Sequence, residues 1–315
     1  MKITINRTLA AISLACASLT AHAAPVTLNT GLIKMGVADN GGLGAGSIGL
    51  IGPSGDAIMP GCLCEGWGAS GNGSSGYVYG LAGTNIASAL TTTTTATGAG
   101  LAAQSVVKLN NGLVITQTYS SAAGGKLFGV NVMLTNSTSS TMSDVRYART
   151  IDWDVTPGYY ANNYTTVYGG TATGPGGKVL TTSTDPFAVP DPLVSRTQDK
   201  NLNVVDSAGD KGGFFVFGFG NLLAGNSVSF DSFIGADSSV SGLLAALGSV
   251  GVEAYSYTTG NTPGTDGYAH APAYGYGFRG LDLAPSLPGG DVPEPLSLAL
   301  VGVALLAAGA ARRRA

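Results

Sequence analysis

The sequence predicts a mainly β chain: an antiparallel β-sandwich with one short helix near residues 238–248, followed by an apolar C-terminal helix able to cross a membrane. Three observations carry that expectation. Apolar side chains recur at every second position in Phe128, Val130, Val132 and Leu134, which places them on one face of a strand and Gly129, Asn131 and Met133 on the other. Glycine supplies 49 of the 315 residues, about twice its usual share, and with Ser, Asn and Pro it cuts the chain into pieces that suit strands and turns. One segment instead has helical spacing, with Val240, Leu243, Leu244 and Leu247 at i, i+3, i+4 and i+7.

In chain order, residues 26–83 hold short apolar pieces such as 47–51 and 77–79 between turn signals. Thr91 to Thr95 reads as a sheet edge or a connector, because a Thr ladder that faces a ligand needs a repeat at fixed spacing, which the run lacks. After the strand at Phe128–Leu134, the polar stretch from Asn136 to Ser143 reads as a turn. The next strand places Val145, Tyr147, Ile151, Trp153 and Val155 on one face, interrupted by Arg149, and Asp144, Arg146, Thr150, Asp152 and Asp154 on a wetter face. Together the two strands read as a hairpin. Further strands are predicted over 178–182, 201–206, 212–219, 227–234 and 252–259. Asp237, Ser238 and Ser239 offer N-cap oxygens to the helix and Gly248 a stop, and its place is expected across a sheet edge or a sandwich end. A Tyr-, Gly- and Pro-rich loop then leads to Tyr274-Gly-Tyr276-Gly-Phe278-Arg279, and residues 285–291 form a Pro/Gly linker. The absence of a repeat of 20 to 50 residues argues against a solenoid or propeller.

Both ends carry addresses. Lys2 and Arg7, the apolar region from Leu9 to Leu19 and Ala21-His22-Ala23 fit a secretory signal peptide over residues 1–23, cut between Ala23 and Ala24 by signal peptidase. Cys16 does not make this a lipoprotein signal, since Ser13 stands where such signals place Leu. At the other end, Pro293 and Pro295 stiffen Val292-Pro293-Glu294-Pro295 into an extended ligand with one carboxylate. The uncharged run from Leu296 to Ala311 has 16 residues, short of the ~20 that span an average bilayer unaided. Arg312, Arg313 and Arg314 form a positive membrane stop that favours the cytoplasmic side and can snorkel to the headgroups.

This order of parts over residues 292–315 resembles the PEP-CTERM sorting signal that exosortase recognises in Gram-negative bacteria that export polysaccharide; the other reading is a plain C-terminal anchor. The resemblance covers the tail alone. It implies an exosortase partner, a transient stay in the inner membrane, and delivery to the cell surface or the exopolysaccharide matrix. Residues 24–284 then form the exported domain.

Without Lys2, Arg7, Arg312, Arg313 and Arg314, the 15 basic residues fall to 10, and without Glu294 the 18 acidic residues fall to 17, a net charge near −7. With no cluster of Lys and Arg in the body, nucleic acid is not an expected partner. Charged residues make up 10% of the chain against about 25% ordinarily, so Ser, Thr, Asn and Gly carry the solubility. Of the three cysteines, Cys62 and Cys64 remain after export. A disulfide between them is the first expectation in an oxidising compartment, ahead of free thiols and of a metal or intermolecular role.

The candidate chemistry is sparse. Asp152 and Asp154 point the same way from a strand and could hold Ca²⁺ or act as acid and base on a glycan, but a solvated strand face beside Trp153 is the simpler reading. His270, the one histidine of the body, sits in a loop without a Gly-x-Ser-x-Gly elbow upstream and reads as a surface residue. Tyr159, Tyr160, Tyr164 and Tyr168, interleaved with Asn162 and Asn163, could stack on sugar rings, or pack across strands. The expected function is that of an exported structural or glycan-binding protein without catalysis, metal or cofactor; the alternative is a secreted glycan hydrolase using Asp152 and Asp154.

Overall fold

The computed structural model describes residues 25–161, 163–169, 178–194, 203–265, 267–268, 270–283 and 287. The cleavage site at Ala23 and Ala24, Val292 to Pro295, the apolar run and Arg312 to Arg314 lie outside the described residues, as does Asn162, and of the linker only Leu287 lies inside them. No helix among the described residues is long and apolar enough to cross a membrane.

Among the described residues the chain is mainly antiparallel β with one α-helix. A nine-stranded sheet runs in the spatial order Asn203–Gly209, Asn163–Tyr168, Ala254–Thr259, Ala273–Arg279, Ser227–Asp237, Leu127–Asn136, Leu113–Ala122, Ala102–Leu109 and Ile86–Thr95. The Thr run therefore lies in an edge strand. A six-stranded sheet has the order Val179–Ser183, Gly212–Leu222, Met142–Asp152, Glu65–Gly71, Ser74–Tyr79 and Ala82–Thr84. Val26–Asn29, Lys34–Val37, Leu50–Gly52 and Gly55–Asp56 make a small third sheet.

The two large sheets share one core. Trp67, Tyr147, Phe215 and Phe217 of the six-stranded sheet meet Phe128, Phe230, Tyr276 and Phe278 of the nine-stranded sheet. Phe217 and Phe278 meet edge-on with centroids 4.7 Å apart, and Tyr147 meets Phe230 at 5.1 Å, a geometry that suits the ring quadrupoles. Phe128, Val130, Val132 and Leu134 are all buried in this core, as their alternation requires.

Three local expectations are corrected. Leu127–Asn136 and Met142–Asp152 do not pair as a hairpin: the first is bonded to Leu113–Ala122 and Ser227–Asp237, the second to Gly212–Leu222 and Glu65–Gly71. The polar stretch between them crosses from one sheet to the other, organised by the buried Asn136, whose Nδ2 donates to Ser140 O (2.8 Å) and Leu222 O (3.0 Å).

The helix, Val240–Ser249, is capped by Ser239, whose Oγ accepts from Gly242 N at 3.0 Å. It packs on a face of the nine-stranded sheet rather than at an edge. In Tyr274-Gly-Tyr276-Gly-Phe278 the aromatic rings fill the main core, while Gly275 and Gly277 leave the opposite face open to Leu243 and Val252. Gly248 lies inside the helix, and Gly251, at φ 69°, makes the left-handed turn after it.

Candidate functional site

Asp152 and Asp154 are not on a wet face. Thr150, Asp152 and Asp154 are 0%, 3% and 2% exposed: residues 185–194 run over this side of the six-stranded sheet at Thr150 and Asp152, and Gly61 lies against Asp154. Gly66 and Gly68 allow that cover: a Cβ on either would meet Pro190, and one on Gly212 would meet Pro186. Ala148, Ala188, Phe214 and Val216 form a small apolar cluster beneath it. From the other side, Asp152 N donates to Cys64 O at 3.1 Å and Asp154 N to Ala57 O at 3.0 Å, which ties residues 57–64 across the strand end. Cys62 and Cys64 are joined in a disulfide with Cα atoms 5.2 Å apart.

The result is a buried acidic cluster capped on Asp152 by the disulfide. Burial, then the charges of Asp154 and Asp210, push Asp152 up to about 8, while burial and Asp210 push Asp154 up to about 6. Asp210 is also raised by burial, against the opposing effect of Lys211. Asp152 Oδ1 and Asp210 Oδ1 have no hydrogen-bond partner among the described residues. Such a pair holds one protonated and one ionised carboxyl near neutral pH, the division that acid–base chemistry requires. Yet both carboxyls are buried, Asp152 beside Cys62 and Asp154 against Gly61, so a polymeric substrate has no direct approach. The sulfurs of Cys62 and Cys64 and a carboxylate oxygen of Asp152 lie within 4.8 Å of one another; joined in a disulfide, the sulfurs offer no thiolate to a metal. Asp210 was not legible as a member, since it arrives from the turn between Asn203–Gly209 and Gly212–Leu222, nearly sixty positions away in sequence.

The four tyrosines do not form one patch. Tyr159 and Tyr160 stand in an exposed loop, 41% and 61% accessible. Tyr164 and Tyr168 share a face of Asn163–Tyr168, where Tyr168 stacks on Tyr255 with centroids 5.4 Å apart and Tyr255 stacks on Tyr257 at 6.3 Å. Tyr257 OH lies 3.1 Å from Tyr268 OH, and Tyr268 OH donates to Asp206 Oδ1. The alternation of Tyr255 and Tyr257 was the overlooked signal for this ladder. His270 is exposed in the turn before Ala273–Arg279.

Arg149 interrupts the inward face because it has a partner there. It is 3% exposed and forms an ion pair with the fully buried Glu65, whose Oε2 also accepts from Leu43 N at 2.7 Å. Burial lowers the affinity of Arg149 for its proton, but Glu65, Tyr147 and Tyr119 outweigh it and the net shift is upward.

No family model and no curated protein matches the chain. Among solved structures, a galactose mutarotase related enzyme from Lactobacillus acidophilus is similar to it at 11% identity, over 81% of this chain and 85% of that one, with a TM-score of 0.29. A likeness of that size assigns no activity to this chain.

Proposed function

We propose that this is an exported β-sandwich protein of the cell surface or exopolysaccharide matrix, structural or glycan-binding and without catalysis, carried outward by signal peptidase and exosortase processing. The observation that carries the reading is the order of the tail: Val292 to Pro295, the apolar run from Leu296 to Ala311, then Arg312 to Arg314. The apolar run forms a transmembrane helix that anchors the chain briefly in the inner membrane. Low charge and the Cys62–Cys64 disulfide support a place outside the cytosol. The proposed glycan contacts are Tyr159 and Tyr160, exposed in their loop, and, separately from them, Tyr164 and Tyr168 on the strand that follows. Replacing Pro293, Glu294 and Pro295 with Ala tests the reading: the full-length chain should stay in the inner membrane, and unaltered surface delivery would show a plain anchor.

The second reading, a glycan hydrolase using Asp152 and Asp154, is favoured by one observation, the separation of their titration to about 8 and about 6. Asp152→Asn with Asp154→Asn decides it. If the purified protein cleaves a polysaccharide and the folded double variant does not, the non-catalytic reading is lost.

A further inference from the structure

At one layer of the core, polar side chains from both sheets face each other around a closed space. Gln117, Tyr119 and Ser232 share the inward face of the nine-stranded sheet: Gln117 is in register with Val132, Tyr119 with Val130, and Val130 with Ser232. Arg149 and Tyr147 approach from the six-stranded sheet, and these side chains line a cavity with about 10 Å³ open to the centre of a water molecule. Gln117, Tyr119, Arg149 and Ser232 are 2%, 2%, 3% and 4% exposed. Gln117 Nε2, Tyr119 OH, Arg149 Nε and Ser232 Oγ each have no hydrogen-bond partner among the described residues. Four such atoms in a dry core are costly to leave unpaired.

We infer that this cavity is a binding site for a single water molecule that joins the two sheets through Gln117, Tyr119, Arg149 and Ser232. The chemistry of the four atoms selects that ligand. Arg149 Nε and Gln117 Nε2 can only donate, whereas the hydroxyls of Tyr119 and Ser232 can accept. A water accepts from the first two and donates to the second two, which uses both its hydrogens and both its lone pairs. The space is about what one water needs. A cation is refused by the two N–H donors. A halide would be held by four donors but would bring an uncompensated charge into the core, because Arg149 is already balanced by Glu65.

A high-resolution crystal structure of the purified protein, with a parallel bromide soak, tests the assignment. The expected result is one density peak within about 2.7–3.2 Å of all four atoms and no anomalous bromide signal there. In Gln117→Leu, which removes one donor and fills the space, the peak should vanish while the fold is kept. A bromide peak would replace the water by an anion site. Four side chains paired directly, with no density between them, or a peak unmoved in Gln117→Leu, would likewise overturn the inference.

Discussion

Cys62 Sγ lies 3.5 Å from Asp152 Oδ2, and since a sulfur in a disulfide carries no hydrogen, any hydrogen bond across this contact is donated by the carboxyl of Asp152. The raised pKa of Asp152 and the disulfide above it are therefore parts of one arrangement: the cap keeps water from a carboxyl that burial keeps protonated. The exported domain without residues 1–23, and so without Cys16, should show no free thiol when unfolded in denaturant without reductant. Full labelling of Cys62 and Cys64 under those conditions would contradict the bridge.

Stability should fall as pH rises. Asp152 and Asp154 titrate at about 8 and about 6 in the folded chain against an ordinary 3.8, so above the ordinary value the folded state retains protons that the unfolded chain has released. The stability this gives is complete below pH ~4 and is lost as pH passes the two folded values. Thermal unfolding from about pH 5 to about pH 9 should show a decline in the native protein and a shallower one in Asp152→Asn. At the upper end the variant should be the more stable by ~1–3 kcal/mol; parallel curves would remove the buried acid from the account.

The cover over this cluster depends on a missing side chain. A Cβ on Gly68 would lie 1.9 Å from Pro190 O, a backbone atom that cannot rotate away. Gly68→Ala should cost ~1–3 kcal/mol and increase hydrogen exchange over residues 185–194. An unchanged exchange pattern would show that the segment is held elsewhere.

Charge in the core should be worth more as a pair than as single groups. Arg149→Met leaves Glu65 buried and alone and should destabilise by ~3–5 kcal/mol. Adding Glu65→Leu should recover much of that loss, which a double-mutant cycle by chemical denaturation measures. Equal, additive losses would mean that the ion pair is not the coupling between them. For comparison, Phe278→Ala removes a ring that packs on Phe217 and Tyr276 and should cost ~3–5 kcal/mol through its cavity alone.

These residues also show which parts of the structure were legible in the sequence. The strand around Phe128 to Leu134 was, because a period of two belongs to the residues themselves. The helix and its Ser239 cap were legible for the same reason, but its stop was misplaced because Gly248 can be accommodated inside a helix while Gly251 alone needs a positive φ. The burial of Asp152 and Asp154 was not, since it comes from residues 185–194 over the first and residues 57–64 beside the second, which no local pattern brings to the strand. Arg149 was visible as an interruption, but Glu65 lies more than eighty positions earlier and its pairing is a property of sheet register. Tyr159 to Tyr168 looked like one group in sequence; a loop followed by a strand divides it in space.

The most direct test of the account is mass spectrometry of surface and matrix material from cells that express the full chain. Processing at Val292 to Pro295 predicts peptides from the exported domain up to the linker at residues 285–291 and none from Leu296 to Ala315. Recovery of surface protein that still carries Leu296 to Ala315 would contradict it.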